Sequence, residues 1–165
     1  MTVYSDYTAD EQQLLRASLE AAAVAVSAAS PGRKEETVSE GVAAATLVLE
    51  SGPAYVRNTL VTSVVLALEA RVRAEEHFPD YGKIASAPDA RLRSMNMLRS
   101  VSDLLDAKAT PDEAAGYKGW LFHIARVTAE AGKEDQGFLG MGGVKVNDAE
   151  RTVLQEIAEL LGVES

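Results

Sequence analysis

Apolar side chains recur every three or four positions along nearly the whole chain, and that period constrains the fold more than any other feature. Leu15, Leu19, Ala22 and Val26 form one stripe, Val38, Val42, Ala45 and Leu49 a second, and Val61, Val64, Val65, Leu68 and Val72 a third. Leu92, Met95, Leu98, Val101 and Leu105 follow, then Trp120, Leu121, Ile124 and Val127, then Val153, Leu154, Ile157, Leu160 and Leu161. No segment alternates strictly over four positions with β-branched enrichment between turn pairs, so no strand is predicted. Leu60–Leu68 is dense in β-branched residues and a buried strand is its minor alternative; the length of the pattern favours helix. The expected fold is all-α, a single-domain helical bundle of six helices spanning residues 1–165.

Capping chemistry sets the expected boundaries. Thr8 and Glu11 have capping-box spacing, opening a helix over Ala9–Ala28 that Ser30-Pro31-Gly32 ends. Thr37 and Glu40 repeat the spacing for a helix that begins between Arg33 and Val38 and ends near Ser51. A third helix is predicted over Ala54–His77, the longest, and a fourth over Pro88–Ala107. Thr110, Pro111 and Glu113 supply cap, first helical position and box for a fifth helix ending near Ala131. Asn147 and Glu150 cap the sixth, and Gly162 stops it. The first, second, third and fifth helices are the most apolar and are expected at the centre.

One segment departs from this regularity. Five of the twelve glycines fall between Gly132 and Gly143, in a predicted loop over residues 132–146 before the last helix. Phe138, Leu139 and Met141 sit inside it, apolar residues that a purely solvated linker does not need. The expectation is a connection that folds back over the helix ends or docks on a partner, with these three as the partner-contact residues.

Composition narrows the function classes. A chain of this length buries roughly 70% of its unfolded surface and needs no covalent staple. It has no cysteine, which removes disulfides, thiol catalysis and cysteine-ligated metal sites. No apolar run is long enough to span a bilayer, and residues 1–10 lack the basic and apolar runs of a secretory signal. These features point to a cytoplasmic protein. The net charge of −9 is spread through both halves. Arg91, Arg93 and Arg99 on one predicted helix, and Arg71 and Arg73 on another, lie among acids without aromatic neighbours. Neither nucleic acid nor an anionic membrane is therefore an expected partner.

The residues for common catalytic sites are missing. The histidines are His77 and His123, and Ala74 and Trp120 stand three positions before them, where a di-iron bundle needs glutamate. No His-Glu-x-x-His is present. His77 is expected at a helix end, and His123 as a partly buried, hydrogen-bonded structural residue. Gly137-Phe-Leu-Gly-Met-Gly-Gly lacks the Gly-Lys-Ser/Thr ending of a phosphate loop and follows no strand. Glu134, Asp135, Asn147, Asp148 and Glu150 bracket the loop, but in an EF-hand register Gly137, Leu139 and Val146 occupy ligand positions. No catalytic residue, cofactor or metal ligand is assigned.

The stretch Leu121-Phe-His-Ile-Ala-Arg-Val-Thr-Ala-Glu-Ala, followed past the glycines by Val146-Asn-Asp-Ala-Glu-Arg-Thr-Val-Leu-Gln-Glu-Ile-Ala-Glu-Leu-Leu-Gly162, resembles the TerB-like (tellurite-resistance B) family, with an echo around Arg33–Glu40. The resemblance implies an all-helical bacterial domain tied to stress resistance and to acidic metal-binding surfaces. Glu150 matches in position. The family's short Ala-Asp-Gly loop, whose aspartate would be a ligand, is replaced here by the glycine-rich segment. Two functions lead, beside a third, an enzyme with a small helical pocket, to which no residue is assigned. The first is a non-enzymatic interaction or scaffold role, with self-association or a protein partner among the expected contacts. The alternative is a TerB-like stress-response domain that binds a divalent metal.

Overall fold

The computed structural model describes residues 1–29, 57–74, 86–131 and 148–164. Five α-helices form among these residues: α1 (Ala9–Ser27), α2 (Thr59–Arg73), α3 (Ala87–Lys108), α4 (Pro111–Ala131) and α5 (Asp148–Leu161), preceded by a short 3-10 turn at Tyr4–Asp6. The architecture is an all-α bundle, as the apolar period requires. The predicted helix ending near Ser51, with its Thr37/Glu40 box, lies outside the described residues, as do His77, Asn147 and the glycine-rich loop.

Several helix ends follow directly from the sequence. Thr8 Oγ accepts from Glu11 N while Glu11 Oε2 accepts from Thr8 N at 2.8 Å, the reciprocal box. Thr110 and Glu113 repeat it at α4. Gly162 takes φ 67°, where a Cβ would be strained, and lets Val163 N donate to Ala158 O and Gly162 N to Glu159 O. α2 differs from expectation. It begins at Thr59, not Ala54, because the Asn58 side chain caps it: Asn58 Oδ1 accepts from Val61 N at 3.0 Å. The β-branched run Leu60–Leu68 is helical, with Leu60, Val61, Val64 and Leu68 buried.

α1 is the centre of the bundle. Residues 21–27 are buried in succession, so this part of α1 is enclosed on every side. Alanine makes that geometry workable, since Ala21, Ala22, Ala23 and Ala25 present only a methyl and let neighbouring helices come close. Among the described helices, α3 makes the most extensive contact with α1, followed by α4. This corrects the expectation that left the Pro88–Ala107 helix outside the centre. α3 inserts a narrow stripe of Ala90, Ser94, Leu98, Val101, Ser102 and Leu105. Leu92, expected inward, is 64% exposed. It lies six positions before Leu98, which turns it well off the buried stripe at 3.6 residues per turn. Small Ala90 and Ser94 take the inward positions instead.

Two junctions lock the packing. The Tyr117 hydroxyl, fully buried, donates to Leu15 O in α1 at 2.9 Å, and its ring meets Trp120 edge-on with centroids 5.3 Å apart. Such a ring pair adds about 0.5–1.5 kcal/mol beyond its area burial. At the other junction the Glu113 carboxylate accepts from Thr2 N at 2.7 Å and from the Thr110 hydroxyl at 2.8 Å, tying the N-terminal segment to the start of α4. Asn58 Nδ2 donates to Glu113 O at 2.9 Å and brings the start of α2 to the same point.

Candidate functional site

Helix periodicity builds a surface beside the core stripe of α4. Tyr117, Trp120, Leu121 and Ile124 face inward. Gly119, Phe122, His123 and Arg126 form the neighbouring stripe at three-to-four spacing. On α5, Val153, Ile157 and Leu161 are buried, and Arg151, Leu154 and Gln155 lie beside them. α4 and α5 pack together, and the two secondary stripes become the walls of a groove of about 680 Å³. Val163 and Glu164, just past α5, complete it.

The groove has two chemistries. Phe122, Leu154 and Val163 pack partly against the core and leave their remaining apolar surface to the groove. Arg126 on α4 and Arg151 on α5 bring a guanidinium to each wall, and both residues are exposed. Arg126 Nη2 lies 3.1 Å from His123 Nδ1. A guanidinium only donates, so Nδ1 accepts and the ring carries its proton on Nε2. Burial lowers the His123 pKa, the Arg126 charge lowers it further, and Glu130 opposes both. His123 is therefore a neutral residue that orients Arg126 at physiological pH. Its part-buried, hydrogen-bonded state matches the expectation from sequence. Arg151 Nη1 pairs with the exposed Asp148 Oδ1 at 2.9 Å.

A second, smaller concavity of about 350 Å³ lies where α3, α4 and the end of α5 meet. Lys118 reaches across it to both oxygens of Asp106 at 2.7 Å, so its charged groups satisfy each other.

Among the described residues, the groove lining carries one carboxylate, Glu164, and no hydroxyl or amine nucleophile, and its histidine is engaged by Arg126. The partner-contact residues expected from sequence, Phe138, Leu139 and Met141, lie outside the described residues, as do Glu134 and Asp135. Of the acids flanking the loop, Asp148 is exposed and paired with Arg151, whereas Glu150 is buried, so the two are not presented together. Among the described residues no three His, Cys, Asp or Glu side chains are grouped to hold a metal ion. No helix of the described residues is long and apolar enough to cross a membrane. On the expected basic helices, Arg91 bonds Glu156 of α5 at 2.6 Å and Arg73 bonds Glu69 at 2.8 Å.

Sequence reasoning missed the groove. Its signal was the polar stripe of His123 and Arg126 flanked by Gly119 and Phe122, a mixture that reads as an ordinary solvent face until α5 is set against it. Comparison with protein-family models, curated proteins and solved structures returned no match for this chain. The fold defines the class, an all-α helical bundle, and the functional reading rests on the site.

Proposed function

We propose that this chain is a non-catalytic interaction domain that docks a protein partner at the α4–α5 groove. One observation carries the reading: Phe122, Leu154 and Val163 line a concave surface whose walls carry Arg126 and Arg151. Grooves that mix an apolar surface with a few directed polar groups are the usual form of a binding site on a helical bundle. The segment 132–147 joins the two helices that form the walls, which makes Phe138, Leu139 and Met141 natural additions to the contact.

Site-specific photo-crosslinking tests this directly. p-Benzoylphenylalanine replaces Gln155, an exposed groove residue, or Leu66, an exposed residue of α2. The expected result is a discrete crosslinked species from position 155 and none from position 66, diminished by Phe138→Ala/Leu139→Ala/Met141→Ala. The mass of that species separates a second copy of the chain from another protein. Equal crosslinking from both positions, or none from position 155, overturns the reading.

A further inference from the structure

The docking reading leaves open what switches it, and the groove holds a side chain whose charge changes near neutral pH. His123 stands on the α4 wall between Gly119 and Arg126, half-buried. Imidazole is the side chain whose ordinary titration falls between pH 5 and 8. Charged groups surround it. Among the described residues, Arg126 and Glu130 share α4 with His123, Arg151 stands on the facing wall in α5, and Glu164 follows α5.

The bond between His123 and Arg126 belongs to one protonation state. Arg126 Nη2 lies 3.1 Å from His123 Nδ1, and a guanidinium has no acceptor to offer. Nδ1 must accept, so it carries no proton. A proton there turns the acceptor into a donor and sets a second cation 3.1 Å from the first. The pair then separates, and Arg126 leaves the place it holds on the wall. Burial opposes that proton most, the Arg126 charge opposes it next, and Glu130 favours it; the balance holds the His123 pKa below the ordinary 6.5.

A docked partner acts in the same direction as burial. Seated on Phe122, Leu154 and Val163, it covers the groove that His123 lines and takes water from the imidazole. Loss of water penalises the imidazolium far more than the neutral ring. Partner and proton therefore compete.

Resting on the docking reading, we infer that His123 is the proton switch of the α4–α5 groove: the neutral ring, holding Arg126, lets a partner seat, and a proton on Nδ1 releases Arg126 and expels the partner. The sign follows from linkage. Docking has its full strength above pH 6.5 and weakens as pH falls through the lowered value, by up to about tenfold per pH unit.

The test repeats the position-155 crosslink between pH 7.5 and pH 5 in the parent and in His123→Asn. The asparagine amide oxygen takes the place of Nδ1, can accept from Arg126 and binds no proton. The expected crosslink yield falls with acid in the parent and stays level in His123→Asn. In parallel, the imidazole nuclear magnetic resonance signal that His123→Asn removes reports the titration of His123 itself. Its midpoint is expected below 6.5 and is expected to rise in Arg126→Gln. A parent yield that is flat or rises with acid overturns the inference, as does an equal fall in His123→Asn. So does a midpoint at or above 6.5, or one that Arg126→Gln leaves in place. Those results leave the docking reading standing wherever the crosslink forms at pH 7.5; absence of the crosslink at every pH overturns both.

Discussion

Gly116 lies directly beneath Asn58: a Cβ at position 116 would overlap the Asn58 side-chain nitrogen. Asn58 cannot easily move aside. Its Nδ2 donates to Glu113 O and its Oδ1 caps α2. The glycine is therefore a spacing element that lets the start of α2 reach the start of α4.

Gly116→Ala is expected to destabilise, against the usual trend inside a helix. Helix propensity alone favours alanine by about 1 kcal/mol. Overpacking against a pinned side chain costs about 1–3 kcal/mol. In an Asn58→Ala background the overlap disappears and the same change becomes stabilising. Urea unfolding of the four proteins in this cycle checks the reversal of sign.

Tyr117→Phe isolates the bond between α4 and α1. It removes one donor from Leu15 O while keeping the ring against Trp120. The carbonyl retains the Ser18 hydroxyl at 2.7 Å, so the loss is expected at about 0.5–1.5 kcal/mol. Tyr117→Ala also removes the ring and should cost about 3–5 kcal/mol. Near-equal losses in urea unfolding would mean that the hydroxyl, not the ring, dominates.

What could be read from sequence is what local chemistry decides. Thr110-Pro111 and Glu113 carry their own cap, and Gly162 its own stop, so both ends stand where the residues put them. Helical type followed from the apolar period even through Leu60–Leu68. Partner choice between helices was not legible. Alanine-rich α1 offers similar methyl surfaces on every face, and which helix comes closest depends on shapes that no single segment encodes. The groove escaped for the same reason: His123 and Arg126 belong to one helix, Arg151 and Leu154 to another, and only packing joins them.

The register of α3 gives a contrast within one helix. Leu92 and Leu98 belong to the same apolar pattern in sequence, yet one is 64% exposed and the other fully buried. Leu98→Ala is expected to cost about 2–5 kcal/mol, the range for a core leucine that leaves a cavity. Leu92→Ala should stay within about 0.5 kcal/mol of the parent. Thermal melts of the two single variants decide it, and a comparable drop for both would mean that Leu92 is covered.

Glu113 links stability to pH. Burial raises its pKa, but bonds from Thr2 and Thr110 outweigh that and hold the carboxyl below its ordinary 4.5. A carboxyl that is more acidic folded than unfolded adds stability above the unfolded value. That stability is lost as pH falls through 4.5 and past the folded pKa. Glu113→Gln keeps the shape but replaces one accepting oxygen with a donor facing Thr2 N or the Thr110 hydroxyl. At pH 7 the variant should be less stable by about 1–3 kcal/mol. The gap should narrow steadily below pH 4.5, as the parent protonates the same group. Glu11, also held acidic by the Lys108 ammonium and by Thr8, titrates in both proteins and cancels from the difference. Urea unfolding of parent and variant from pH 7 down to the acid limit of folding follows that gap; a constant gap would place the loss in side-chain shape instead of charge.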